Sequence, residues 1–175
     1  MRRSANRTGN RAGFSLVELI VVVVILMIAA AVVLPNIGTA GDTQVTSAAR
    51  VLAADLETAR SLALKTQRPH TVLFSPTGQS YKVVVDYAGT DYASTQAIAH
   101  RVAVGKRFEV TLAENNGMGN VQVTDVSFGG ENYVTFDALG EPSSSGSVSL
   151  QAGGVRMQVT VAGLTGSITT ERLTN

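Results

Sequence analysis

The sequence contains no cysteine. A disulfide framework, a thiolate zinc site and a cysteine nucleophile are therefore excluded. Tryptophan is absent and aromatic residues make up only 5% of the chain, so a core must come mainly from Val, Leu, Ile and Ala. Histidine occurs only at His70 and His100, with no carboxylate spacing of a metal site around either. Both read as surface or loop residues. Acid is missing from the first 13 residues, which carry Arg2, Arg3, Arg7 and Arg11. Beyond them, 10 basic residues face 13 acidic ones, a net of −3, so bulk charge gives no reason to expect capture of polyanions.

What the chain does have is one long apolar run, unbroken from Leu19 to Leu34. Counted from Phe14, the 21 residues to Leu34 would make a helix of about 31 Å, close to a hydrocarbon core of ~30 Å. Four arginines precede it and no Lys or Arg follows before Arg50. That asymmetry predicts a cytoplasmic N-terminus and a body on the far side of the membrane. Glu18 is out of place here, because a charge at the bilayer centre costs on the order of 2.5–3.5 kcal/mol.

Three readings cover residues 1–34. They are a plain signal anchor, a secretory signal cut after Ala31, and a leader cut at Gly13–Phe14 that leaves the helix on the mature chain. Glu18 favours the third. The cut creates an ammonium on Phe14, and the Glu18 carboxylate of a staggered neighbour would pair with it in a low-dielectric core.

Pro35 ends the run and predicts a kink or local unwinding. A second helix is expected over 36–68, its pattern starting near Asp42 as a possible N-cap. Val45, Ala48, Ala49, Leu52, Leu56, Ala59, Leu62 and Ala63 recur every three or four residues, giving one apolar face. Pro69 should stop this helix near Gln67. From His70 the period falls to two. His70–Ser75 and Ser80–Asp86 read as a hairpin around a type I turn, Ser75-Pro76-Thr77-Gly78. Residues 87–105 have no clear period. Short alternating runs follow at Val121–Phe128, Tyr133–Phe136, Ser147–Leu150, Val155–Val161 and Ser167–Thr170. The expected fold is α+β: a long N-terminal helix, half membrane-spanning and half amphipathic, packed on an antiparallel β-rich body over 69–175.

The stretch Gly13-Phe14-Ser15-Leu16-Val17-Glu18-Leu19, with its basic leader and an apolar run ending at Pro35, resembles the N-terminus of type IV pilin-like proteins. That resemblance implies cleavage after Gly13 by a prepilin peptidase, N-methylation of Phe14 and an assembly role for Glu18. It also implies a single-pass bacterial inner-membrane protein whose partners are membrane lipid and other pilins or pseudopilins in a helical fibre. Further on, Val134-Thr135-Phe136, Gly140, Ser147-Val148-Ser149-Leu150, Val155–Val161 and Thr165-Gly166-Ser167-Ile168 are similar to the domain shared by minor pseudopilin H of type II secretion and T-type fimbrial minor pilins. The Ala-Arg and Ala-Arg-Ser-Leu-Ala patterns within Ser47–Lys65 fit the same group. Ser167 departs from it, since members often carry Arg there. The expected function is a minor pseudopilin in protein export; the alternative is a minor type IV pilin in pilus assembly or DNA uptake.

Other motifs are weaker. Arg101, Lys106 and Arg107 beside Phe108 form a small basic cluster with one aromatic, a possible nucleic-acid contact. The body's net negative charge weighs against nucleic acid as a partner. Asp86 and Asp91 are only a pair, short of a calcium loop. Ser143-Ser144-Ser145 lacks a nucleophile's glycine frame and reads as a flexible linker. Gly129-Gly130 and Gly153-Gly154 read as turns. No metal, no cofactor and no enzymatic activity are expected.

Overall fold

The computed structural model describes residues 15–33, 37–89, 91–100, 104–114 and 117–173, without the side chains of 30–40. The chain divides into two compact units, Met1–Ile37 and Gly38–Asn175.

The first unit contains α1 (Leu16–Val33). Its apolar character runs all the way round the helix: Leu16 is 72% exposed, and the best covered, Val22, is still 46% exposed. Among the described residues, no helix is long and apolar enough to cross a membrane. The expected span of 14–34 begins and ends outside the described residues, as does the expected break at Pro35.

After its first residue, α2 (Ile37–Thr66) belongs to the second unit. All eight residues of the predicted stripe, from Val45 to Ala63, are buried. Each fully buried Leu contributes about 1.5–3 kcal/mol through burial, more than any propensity term in the helix. The helix starts earlier than expected. Asp42 lies inside it and is not its N-cap; its carboxylate pairs with Arg172 at 3.2 Å. The end is as expected: Gln67 takes a left-handed φ of 54° just after Thr66, and its side-chain amide donates to Leu64 O at 2.8 Å.

Among the described residues eight strands follow, all paired antiparallel: β1 (His70–Phe74), β2 (Ser80–Val85), β3 (Glu109–Thr111), β4 (Gln122–Phe128), β5 (Tyr133–Phe136), β6 (Gly146–Ala152), β7 (Val155–Val161) and β8 (Ile168–Leu173). They form two sheets, ordered β3-β2-β1-β5 and β4-β6-β7-β8. The first hairpin closes as expected, with Gly78 N–H donating to Ser75 O at 3.0 Å. Gly129-Gly130 turns the chain from the second sheet into the first, and Gly153-Gly154 closes the β6–β7 hairpin.

On one face of the first sheet Val72, Phe74, Tyr81, Val83, Val134 and Phe136 meet the α2 stripe. Phe128, Val148, Leu150, Val159 and Val161 of the second sheet join the same core. Two expectations change here. His70 is 4% exposed, in β1, with Nδ1 2.9 Å from Arg68 O. It is a core-edge residue and not a surface one. Ser143 is no free linker: its N–H donates to Thr135 O at 2.7 Å and its hydroxyl accepts from Thr135 N–H at 3.2 Å, extending the ladder beyond β5.

Candidate functional site

The N-terminal motif and the body present separate candidate sites. Glu18 lies exposed in the first turn of α1, where a carboxylate suits the positive end of the helix dipole. Gly13 and Phe14 lie outside the described residues.

In the body, the residues that carried the family resemblance converge on one guanidinium. Arg60, on α2, donates through Nε to Gly140 O at 3.1 Å and through Nη2 to Thr165 O at 2.8 Å. Gly140 sits in the turn between β5 and β6, closed by its N–H donating to Asp137 O at 2.9 Å. Thr165 and Gly166 sit in the turn between β7 and β8, where Gly166 N–H donates to Ala162 O at 2.9 Å. Both glycines have left-handed φ, 75° and 61°. A Cβ on Gly140 would stand 3.1 Å from Leu64, and one on Gly166 would stand 3.0 Å from both Arg60 Nε and Gly140 O. Only glycine lets the two turns close this tightly on the helix. The sequence displayed the pattern around Arg60 but held no sign of its partners, which are 80 and 105 residues away.

Of the basic cluster, Lys106 and Arg107 are among the described residues. Arg101 lies outside the described residues. Arg107 Nη1 donates to Ala97 O at 3.0 Å, and its backbone bridges to Ala99. Phe108 is 3% exposed and belongs to the core, so it offers no face for a base. Glu109 and Glu114 line the same groove as His100, Lys106 and Arg107, diluting its positive charge.

Asp86 pairs with Arg68, and among the described residues no group of His, Asp or Glu could hold a metal. One buried polar pair went unforeseen. The Tyr81 hydroxyl donates to Asp55 Oδ2 at 2.6 Å. Burial holds the Asp55 carboxyl above its ordinary value, against the opposing pull of that hydrogen bond and of His100. Burial, and then the charge of Asp55, push the Tyr81 phenol well above 10. The pair ties α2 to β2 and is structural.

Comparison with known families separates the chain along the same lines. The family described as type II transport protein GspH matches residues 48–165, and the prokaryotic N-terminal methylation motif matches residues 8–34. The chain belongs to the GspH family. The matched stretch takes in Arg60, Gly140 and Thr165, so the clamp lies within the GspH domain. None of the curated proteins compared matches the sequence. Among solved structures, the minor pseudopilin EpsH of the Vibrio cholerae type 2 secretion system is similar at TM-score 0.54 and 13% identity. That likeness covers 74% of this chain and 97% of EpsH. The type IV minor pilin FimU of Pseudomonas aeruginosa is similar at TM-score 0.52 and 18% identity, covering 74% of this chain and 90% of FimU. At such identities these likenesses establish the fold: a GspH-type body, one helix against two antiparallel sheets.

Proposed function

We propose that this GspH-family chain is a minor pseudopilin, a non-enzymatic subunit of a type II secretion pseudopilus. The observation that carries this reading is the presence of a methylation motif over 8–34 and a GspH domain over 48–165 on one chain. A prepilin peptidase would cut between Gly13 and Phe14, and the new Phe14 amine would be methylated. The apolar segment would hold the protein in the bacterial inner membrane, with the body in the periplasm, until other pseudopilins draw it into the fibre. Glu18 of one subunit would then face the Phe14 ammonium of another. An unpaired charge in that apolar core is costly, so the pair would select the correct stagger.

Mass spectrometry of the mature protein should find a start at Phe14 with one added methyl; a start at Val32 would refute the processing. Glu18→Ala should leave membrane insertion intact and abolish incorporation into fibres, an outcome that normal assembly would contradict. Deleting the gene should block secretion of exoproteins. The likeness to FimU supports a minor type IV pilin as the second reading. Normal secretion with lost piliation or lost DNA uptake would favour it.

A further inference from the structure

The connection between β2 and β3 covers a second apolar layer, on the face of the first sheet turned away from α2. By the strand register, Thr71, Leu73, Lys82, Val84, Tyr133 and Thr135 share that face. Thr71 is 0%, Val84 1%, Leu73 2% and Lys82 4% exposed. The Tyr87 ring packs edge-on to Tyr133, centroids 5.1 Å apart. Lys82 Nζ donates to two main-chain carbonyls of the connection, Tyr92 O at 2.5 Å and Thr95 O at 2.7 Å. The same ammonium stands 3.9 Å from the centre of the Tyr92 ring. The Tyr92 hydroxyl meets Ser80 at 3.0 Å and donates to Glu109 at 3.2 Å. At the far end, Ile98 N–H donates to Val83 O at 2.9 Å.

Cover and covered are held by different forces. Among the described residues of 86–98, only Ala97 is buried. Apart from the Tyr87–Tyr133 ring contact and Ile98, which packs against the main core at the far end, the connection is tied down by polar contacts, while Leu73 and Val84 beneath it are closed off from water. Segments with few buried apolar contacts of their own open at a lower free energy than the core they lie on. Lys82 is the central tie. Without its ammonium, two carbonyls under the cover lose their donor, which penalises the closed form alone.

We propose that the described residues 86–89 and 91–98 belong to a strap that opens as a unit while the rest of the body stays folded, with Lys82 as its latch. The first sheet then has two outer faces: a polar one with the strap closed, and an apolar one with Leu73 and Val84 bare when it opens. The proposal does not depend on the fibre reading.

The absence of cysteine makes the test clean, since one introduced thiol is the only thiol present. In the full chain in detergent, Val84→Cys places that thiol under the strap and Val159→Cys places it in the main core. Labelling of the Val84→Cys chain by a thiol reagent should be at least about ten-fold faster than labelling of the Val159→Cys chain. Adding Lys82→Met should accelerate labelling at position 84 by about ten-fold or more and leave position 159 within about two-fold. Tyr92→Ala, which removes the ring over the ammonium, should act in the same direction and serves if Lys82→Met does not fold. Equal labelling at the two positions, or equal acceleration of both by the latch variants, would overturn the proposal. So would a Lys82→Met chain that labels at position 84 no faster than its parent.

Discussion

α1 and α2 use their apolar residues in opposite ways. In α1 every described apolar residue from Leu16 to Ile28 is between 46% and 72% exposed. In α2 the eight stripe residues lie between 0% and 6%. α2 has a polar face and a core to rest on, so its hydrophobic free energy is realised within one chain. α1 has no polar face, and an all-round apolar helix is stable only where lipid or other helices surround it. The stripe of α2 is thus satisfied within the body, while the apolar surface of α1 is left exposed. The methylation motif takes in α1 and the GspH match lies in the body.

The largest effect that sharpens this contrast comes from truncating leucines in each helix. Leu56→Ala, at a site with 0% exposure, should destabilise the body by about 2–5 kcal/mol, read as a lower urea midpoint. Leu19→Ala should leave that midpoint unchanged; a drop would mean that the body depends on α1 and would break the contrast. Next in size is the clamp. Arg60→Ala should cost about 1–3 kcal/mol, and Arg60→Lys somewhat less, with faster amide exchange at Gly140 and Gly166. Amide exchange unchanged at both turns would show that the guanidinium merely rests there.

The smallest effect concerns Asp55. Its folded pKa is raised, chiefly by burial, so its favourable contribution is complete below its ordinary value of 3.8 and is lost as pH rises through the folded value. Asp55→Asn keeps an acceptor for Tyr81 and cannot ionise. Its urea midpoint relative to the parent should therefore improve as pH rises above the ordinary 3.8 and level off once the folded carboxyl has ionised. A relative midpoint that falls over that range would mean the hydrogen bond from Tyr81 outweighs desolvation.

Much of this architecture was legible in the residues. The α2 stripe appears because a period near 3.6 survives over five turns, and Pro69 marks the stop. The β1–β2 hairpin appears because Pro76 and Gly78 fit one turn type. β3 was invisible: Glu109-Val110-Thr111 holds a single apolar side chain, too little to show alternation. The strap was invisible for another reason. Its anchors are main-chain carbonyls, which every residue has, and their partner Lys82 looks like any other lysine in a strand. The start of α2 was misplaced because Asp42 has the chemistry of a cap, yet the helix runs back to Ile37. Of the candidate positions, Gly13, Phe14 and Glu18 can be named from the sequence because their motif is local. Arg60 cannot, because its role exists only once two distant turns arrive.

That distance sets a clock. Arg60 is made 105 residues before Thr165, an interval of about 5–20 seconds at a synthesis rate of ~5–20 residues per second. Throughout that interval α2 is complete in sequence, yet its guanidinium has neither carbonyl to hold. The lock on the body turns only when the β7–β8 turn has emerged, long after α1 and α2 are complete in sequence.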